Sequence, residues 1–159
     1  MPLVGVISDT HGLVRPQALS ALAGVDHIIH AGDIGGADVL VALRALAPVT
    51  AVRGNNDRQP WADAIRERET ITVGAATIHV LHDVKDLQLD PLSSGVHAVI
   101  AGHSHRPRIE RRHGVLFLNP GSAGPRRFTL PVSIARLHVE EGRLAPEIVE
   151  LDVASPAAG

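Results

Sequence analysis

Histidine and aspartate side chains recur in polar, loop-like segments of this 159-residue chain. Asp9 and His11 stand two residues apart, and His103 and His105 repeat that spacing. Side chains two residues apart in an extended segment point to the same side, so each pair can approach one metal ion. Three further candidate ligands stand alone in similar segments: Asp33, Asn55 and His82. Carboxylate, imidazole and amide groups suit Mn, Fe, Ni, Mg or Zn, and a chain without cysteine has no thiolate ligand.

Each candidate ligand follows an apolar run that is typical of a buried strand. The predicted strands cover residues 3–8, 27–31, 49–53, 76–81 and 98–101. Helical spacing predicts helices over 15–23 and 37–46, and the strand–helix alternation indicates right-handed crossovers in a parallel sheet. Ligands of such sheets bind beyond the carboxyl ends of the strands. We therefore expect all five loops to meet at one sheet edge.

The second half of the sequence has a different pattern. Hairpins are predicted for 70–73 with 76–81, 108–111 with 115–118, and 132–139 with 145–151. A short helix is expected near Leu92. The pattern predicts an α/β start joined to antiparallel strands, with one domain over residues 1–152 and a flexible tail over 153–159.

Composition excludes several classes of protein. The net charge is −2 and aromatic residues make up 2% of the chain, so neither a basic surface nor stacking platforms for nucleic acid are expected. No basic N-terminal stretch precedes an apolar run, and no apolar segment reaches the ~20 residues that span a bilayer. A cytoplasmic protein without a membrane partner is the expectation.

Seven candidate ligands exceed what one ion takes, and two ions about 3.5–4 Å apart would use them well. The motifs occur in a fixed order: Asp9-Thr10-His11, Gly32-Asp33, Gly54-Asn55-Asn56-Asp57, His82, Gly102-His103-Ser104-His105 and Asn119-Pro120-Gly121-Ser122. In this order the sequence resembles the calcineurin-like metallophosphoesterase superfamily, especially its short bacterial and archaeal phosphodiesterases. The resemblance implies a four-layer α/β/β/α sandwich of two mixed sheets flanked by helices.

The resemblance also implies roles for these residues. One ion would be bound by Asp9, His11 and His105, and the other by Asn55, His82 and His103. Asp33 would bridge the two ions, and a hydroxide between them would attack phosphorus. Manganese is the first expectation, with Ni, Fe, Zn or Mg also suitable. Asn55 would help to position the phosphate, and Asp33, Asn55 and Asp57 are the expected catalytic residues.

Two positions depart from the family pattern. Many members have a histidine after the ligating asparagine, where it protonates the leaving group; Asn56 holds that position here. An amide is no general acid, a contribution typically worth about 10²–10⁴-fold in rate. The family usually has glycine after the residue equivalent to His82, whereas this chain has Asp83, which could add a carboxylate outside the ligand shell.

Four residues near the motifs are candidates for supporting or substrate-binding roles. His30 ends a predicted strand beside Asp33, so it is either structural or it orients a ligand. Asn119 begins a motif that either forms only a turn or supports the site. Arg106 and Arg126 belong to a basic stretch that is either a solvated face or a clamp for substrate phosphate.

The predicted function is hydrolysis of small, nucleotide-like phosphodiesters, with weaker activity on monoesters. Two alternatives come from relatives of the same fold. A eukaryotic subunit of the retromer coat has a degraded metal centre and works as a scaffold, but no ligand position is replaced here. Related nucleases carry extra domains and basic surfaces. Family members often form dimers or tetramers, so a homo-oligomer is a further possibility.

Overall fold

The computed structural model describes residues 2–153. The first half of the chain contains β1 (Leu3–Ile7), α1 (Pro16–Ala21), β2 (His27–His30), α2 (Ala37–Arg44), β3 (Val49–Ala51), a 3₁₀ helix (Pro60–Ala62), β4 (Arg68–Val73) and β5 (Ala76–Leu81). The second half contains a 3₁₀ helix (Val84–Asp86), β6 (Ala98–Ile100), β7 (Arg108–Arg112), β8 (Val115–Asn119), β9 (Ser133–Glu140) and β10 (Arg143–Glu150).

The first sheet has the strand order β10-β9-β1-β2-β3. Strands β1, β2 and β3 are parallel, with α1 and α2 in the crossovers, as the sequence predicts. The register pairs Ile7 with His30 and His30 with Ala51. The loops after these three strands therefore begin at the same level of the sheet. Strand β9 pairs antiparallel with β1, which makes the sheet mixed.

The second sheet has the strand order β4-β5-β6-β8-β7. Strands β5, β6 and β8 are parallel, and the hairpin partners β4 and β7 run antiparallel at the two edges. The predicted hairpins are confirmed, and the parallel pairs β5–β6 and β6–β8 beside them make this sheet mixed, as the resemblance implies. Strand β8 pairs with its hairpin partner β7 on one side and in parallel with β6 on the other, which puts Ile100 beside Leu118.

Three apolar clusters hold the layers together. The central cluster is contributed by both sheets and includes Val6, Ile29, Val80, Ile100 and Leu137. A second cluster packs α1 and α2 on the first sheet through Leu22, Leu40 and Leu43. The outer face of the second sheet is covered by a loop that carries Leu87 and Leu89. This arrangement of two mixed sheets confirms the predicted fold class, although the outermost layer on the second sheet contains no α-helix among the described residues.

Two further sequence predictions differ from the structure. The five ligand loops do not leave one sheet edge, because three follow strands of the first sheet and two follow strands of the second. The helix expected near Leu92 is wrong: residues 91–95 form a single turn, and Gly95, with φ of +72°, ends it. All of the predicted 153–159 tail except Val153 lies outside the described residues, and the single domain over 1–152 stays a prediction.

Candidate metal centre

The loops that carry the candidate ligands have an unusual backbone. Among the described non-glycine residues, seven have a positive φ, and five of these are predicted ligands: Asp9, His11, Asp33, His103 and His105. Left-handed conformations cost free energy for residues with a Cβ, and such residues concentrate at functional sites where the surrounding structure holds them. The chain thus turns sharply after β1, β2 and β6 and directs these ligand side chains toward one place.

Asp9 is fully buried, and its two carboxylate oxygens lie in different environments. Its Oδ2 accepts hydrogen bonds from the Ser8 hydroxyl at 2.7 Å and from the His103 backbone N–H at 3.0 Å. Its Oδ1 is buried without a hydrogen-bond partner among the described residues. Burial would raise the pKa of Asp9, but the nearby His105 imidazole and the Ser8 hydroxyl outweigh it and lower that pKa. One oxygen is therefore fixed by the protein, while the other is free for a cation.

Asp33 is held in a similar way by the loop after β3. The backbone N–H and the side-chain amide of Asn56 donate to its Oδ1 and Oδ2 at 2.9 and 3.1 Å. Burial would raise the pKa of Asp33, but the nearby His82 imidazole and the Asn56 backbone N–H hold it well below its usual range. Asn56, which replaces the family's usual histidine, thus binds the predicted bridging carboxylate.

Two groups of side chains are arranged so that each could hold one ion. The first group is Asp9, His11 and His105, and the second is Asp33, His82 and His103. Within each group, one potential ligand atom from every residue lies within 4.8 Å of the others. This division reproduces the ligand sets that the resemblance implies, apart from Asn55.

The first group contains unpaired polar atoms. Nε2 of His105 lies 3.5 Å from Oδ1 of Asp9, and Nε2 of His11 lies 3.9 Å from Oδ2 of Asp33. Both His11 Nε2 and His105 Nδ1 are buried without a hydrogen-bond partner among the described residues. Buried polar atoms without partners are costly, and an ion would satisfy Asp9 Oδ1 and His11 Nε2 together.

In the second group, His82 is fixed by the backbone of the first sheet. Its Nδ1–H donates to the Ala31 carbonyl at 2.7 Å, which leaves the lone pair on Nε2. That Nε2 lies 3.3 Å from Oδ2 of Asp33 and 3.3 Å from Nδ1 of His103. Burial would lower the pKa of His82, but Asp33 and Asp9 outweigh it and raise that pKa. A site that favours positive charge on an imidazole between two carboxylates also favours a metal cation. The residues present therefore fit two divalent ions.

Asn55, like His103, is a predicted ligand that lies at the surface. It lines a cavity of about 190 Å³ next to the second group, together with Arg53, Arg68, His82 and His103. Arg53 pairs with Glu67 at 3.3 Å at the rim of this cavity. Sequence reasoning missed the two arginines, although Arg53 directly precedes the Gly54-Asn55 motif.

Asp57 is buried, and its carboxylate binds backbone rather than facing the cavity. Its Oδ2 accepts from the N–H groups of Ile34 and Gly54 at 3.0 and 2.9 Å, and its Oδ1 accepts from Gly35 at 3.0 Å. These three bonds join the loops after β2 and β3, which carry Asp33 and Asn55. The predicted catalytic role of Asp57 is untested, but its contacts are those of a residue that shapes the loops.

His30 is fully buried and links two ligand loops. The Gly32 backbone N–H donates to its Nδ1 at 3.1 Å, so its Nε2–H donates to the Thr10 hydroxyl at 3.0 Å. Thr10 in turn donates to the Ile34 carbonyl at 2.7 Å. Burial is the main cause that lowers the pKa of His30 to about 4. The histidine is therefore neutral and orders the backbone on either side of Asp33.

The Asn119 motif supports the loop of His103 and His105. The Asn119 amide donates to the Gly102 carbonyl at 2.9 Å and to the Ser104 hydroxyl at 3.1 Å. Ser122, three residues later, donates its hydroxyl to the Asp9 carbonyl at 3.0 Å. Ser8 and Ser122 are supporting residues that sequence reasoning did not single out, although Ser122 belongs to a quoted motif.

The two arginines predicted to bind substrate do not line the cavity next to the second group. Arg106 is exposed, and its backbone N–H donates to the Ser104 hydroxyl at 3.2 Å. Arg126 is half-buried, and its Nε has no hydrogen-bond partner among the described residues. The cavity at the second group is lined by Arg53 and Arg68 instead of these two.

Comparison with known proteins agrees with this geometry. The family model of the calcineurin-like phosphoesterase superfamily domain matches residues 3–142. The chain is 37% identical to a protein of Methanothermobacter thermautotrophicus described as a probable metallophosphoesterase, over 92% of this chain and 91% of that protein. The chain belongs to the calcineurin-like phosphoesterase superfamily, whose members use divalent metal ions, as the motifs predict.

Solved structures of the same fold include enzymes and other proteins. An archaeal phosphodiesterase has a TM-score of 0.76 at 23% identity and covers 92% of this chain and 99% of its own. Vps29 from Entamoeba histolytica, solved with Zn²⁺, has a TM-score of 0.72 at 27% identity and covers 93% of this chain and 98% of its own. None of the helices within residues 2–153 is long and apolar enough to cross a membrane.

Proposed function

We propose that this protein is a phosphodiesterase that hydrolyses small phosphodiesters with the help of two divalent metal ions. The observation that carries the proposal is the pair of groups Asp9/His11/His105 and Asp33/His82/His103, with Oδ2 of Asp33 facing both groups. Bound ions supply a nucleophile at neutral pH and neutralise charge on the phosphoryl oxygens. Manganese is the first candidate, followed by Ni, Fe, Zn and Mg.

The residues of the chain have distinct tasks in this proposal. Asp33 would hold both ions through its carboxylate, and Asn55 would complete the second group and position the phosphate. The cavity of about 190 Å³ beside Asn55 receives one ester substituent, where Arg53 and Arg68 supply cationic donors. Its size supports a small substrate, such as a nucleotide. The amide of Asn56 is no general acid, so esters with good leaving groups should react fastest.

The scaffold alternative rests on the likeness to Vps29. Two complete ligand groups with buried, unpaired ligand atoms support an enzyme over a scaffold, because a scaffold has no need to retain costly atoms such as Asp9 Oδ1. The nuclease alternative has less support, since the net charge is −2. We also propose a cytoplasmic location and leave a dimer or tetramer open to measurement.

The test is an assay of metal-stripped protein on a chromogenic phosphodiester and the matching monoester, with Mn²⁺, Ni²⁺, Mg²⁺ or Zn²⁺ restored separately. Asp33→Ala runs alongside Asp38→Ala, a matched change at an exposed aspartate in the first turn of α2. We expect metal-dependent cleavage of the diester in the wild type and in Asp38→Ala, and its loss in Asp33→Ala. Protein that binds two ions but cleaves neither ester would favour the scaffold.

A further inference from the structure

The imidazole of His103 presents its two nitrogens to two different environments. Nδ1 lies 3.3 Å from Nε2 of His82, and Nε2 lies 3.6 Å from Oδ2 of Asp83. Because Nδ1 of His82 donates to the Ala31 carbonyl, its Nε2 carries a lone pair. Either a proton, as in a hydrogen bond, or a metal ion must lie between these two nitrogens. When an ion occupies the second group, Nδ1 of His103 is the nitrogen that faces it, beside Nε2 of His82.

This assignment leaves the Nε2–H of His103 directed at Asp83. The other carboxylate oxygen of Asp83 is already fixed, since Oδ1 accepts from the Lys85 backbone N–H at 3.0 Å and caps the 3₁₀ helix Val84–Asp86. With Oδ1 held, Oδ2 is directed at the imidazole. The distance of 3.6 Å exceeds a hydrogen bond. The His103 side chain is 46% exposed, so it has room for the small rotation that would close this gap when an ion binds.

We propose that Asp83 is a positioning residue for the second metal ion: its carboxylate accepts the Nε2–H of His103 and holds the imidazole with Nδ1 toward the ion. A carboxylate behind a ligating histidine fixes the ring orientation and strengthens it as a ligand, and loss of such a partner typically weakens metal binding by about 10–100-fold. The inference rests on the proposed function only in that it needs an ion in the second group.

The cavity offers a matched control. Asp86 lines the same space three residues after Asp83, but its side chain makes no ion pair with a candidate ligand among the described residues. Asp83→Asn and Asp86→Asn each remove one negative charge from this cavity. Asparagine at position 83 also keeps an oxygen that can cap the Lys85 N–H. A difference between the two variants therefore reports orientation of His103 rather than net charge.

The experiment is calorimetric titration of metal-stripped wild type, Asp83→Asn and Asp86→Asn with Mn²⁺. We expect two ions per chain in all three proteins. In Asp83→Asn, one of the two sites should bind about 10–100-fold more weakly and the other should be unchanged. Asp86→Asn should match the wild type. Equal affinities in Asp83→Asn and the wild type, or an equal loss in Asp86→Asn, would overturn the proposal.

A second measurement separates positioning from a merely structural role. In the Zn²⁺-loaded protein, ¹⁵N–¹H correlation spectra should show a slowly exchanging Nε2–H on His103, identified by its absence in His103→Ala. The signal should be lost or shifted upfield in Asp83→Asn and kept in Asp86→Asn; a signal that Asp83→Asn leaves unchanged contradicts the proposal.

The outcomes also separate this inference from the proposed function. Wild type that binds two ions but hydrolyses no phosphoester would overturn the function and leave the role of Asp83 standing. Wild type that binds no ion would overturn both.

Discussion

Oδ2 of Asp33 lies 3.3 Å from Nε2 of His82, although the two residues follow strands of different sheets. The same oxygen lies 3.9 Å from Nε2 of His11 in the other ligand group. One carboxylate therefore joins the two candidate metal sites as well as the two sheets. This relationship distinguishes Asp33 from every histidine of the centre, each of which belongs to one group only.

We expect this difference to appear in metal stoichiometry. His82→Ala and His105→Ala should each retain about one of two bound ions, because each change removes a ligand from one group. Asp33→Ala should retain none at the same metal concentration, since both groups lose a shared ligand. Elemental analysis after gel filtration measures the ions per chain. Identical losses in all three variants would show that Asp33 does not bridge.

A second prediction concerns Asp57. Its buried carboxylate accepts three backbone hydrogen bonds from the ligand loops, and an amide cannot replace all three. Hydrogen bonds to a charged group contribute about 1.5–3 kcal/mol, so Asp57→Asn should lower the free energy of unfolding by about 2–3 kcal/mol. Asp63→Asn, at an exposed position, should change it little. Denaturant unfolding checks both variants.

The same variant tests the catalytic role that the sequence predicts for Asp57. If Asp57 shapes the loops, metal affinity and stability should fall together with activity in Asp57→Asn. If Asp57 acts in catalysis, turnover should fall while unfolding and metal binding match those of Asp63→Asn.

The convergence of the candidate metal-binding residues was predictable from sequence, because each one follows an apolar strand. Binding sites in open α/β sheets lie beyond the carboxyl ends of the strands. The second sheet was not predictable in the same way. Strands β5, β6 and β8 are parallel without α-helical crossovers, so no helical spacing between them indicates the pairing. The short apolar runs that begin at Ala98 and Val115 indicate a strand and a hairpin, but not the parallel pairing between them.

The left-handed backbone conformation of the ligand residues was also not predictable from the sequence. Glycine is the usual sign of a left-handed residue, but here Asp9, Asp33 and His103 adopt it themselves. Contacts between distant loops impose it: Asp9 N–H donates to the Gly32 carbonyl, and His11 N–H donates to the Asp33 carbonyl, both at 2.9 Å. Such pairings depend on the folded sheet and leave no local pattern in the sequence.

A third prediction follows from the lowered pKa of His30. The ordinary pKa of 6.5 applies to the unfolded chain, whereas burial lowers the folded value to about 4. As the pH falls below 6.5, His30 binds a proton in the unfolded chain but stays neutral in the folded protein. Stability is therefore full above pH 6.5 and is lost progressively down to about pH 4. Between pH 7 and pH 5 the loss from His30 alone should be about 2 kcal/mol.

The measurement compares metal-free wild type with His30→Gln by denaturant unfolding at both pH values. Other titrating groups contribute equally to the two proteins. The wild type should thus lose about 2 kcal/mol more than the variant over this range. Equal losses would mean that His30 does not remain neutral in the fold.

A fourth prediction uses two glycines with positive φ. Gly32 has φ of +101°, and a Cβ there would lie 2.6 Å from Nδ1 of His82, the atom that donates to the Ala31 carbonyl. Gly24 has φ of +83°, but a Cβ there would have no heavy atom within 4 Å. Gly24→Ala and Gly32→Ala therefore share a backbone cost of about 1 kcal/mol, and only Gly32→Ala displaces His82.

Gly32→Ala should bind one ion at least about 10-fold more weakly, while Gly24→Ala should keep wild-type affinity despite its lower stability. Calorimetric titration with Mn²⁺ decides between them: equal affinities in the two variants would show that the hydrogen bond from His82 to Ala31 does not control the second group.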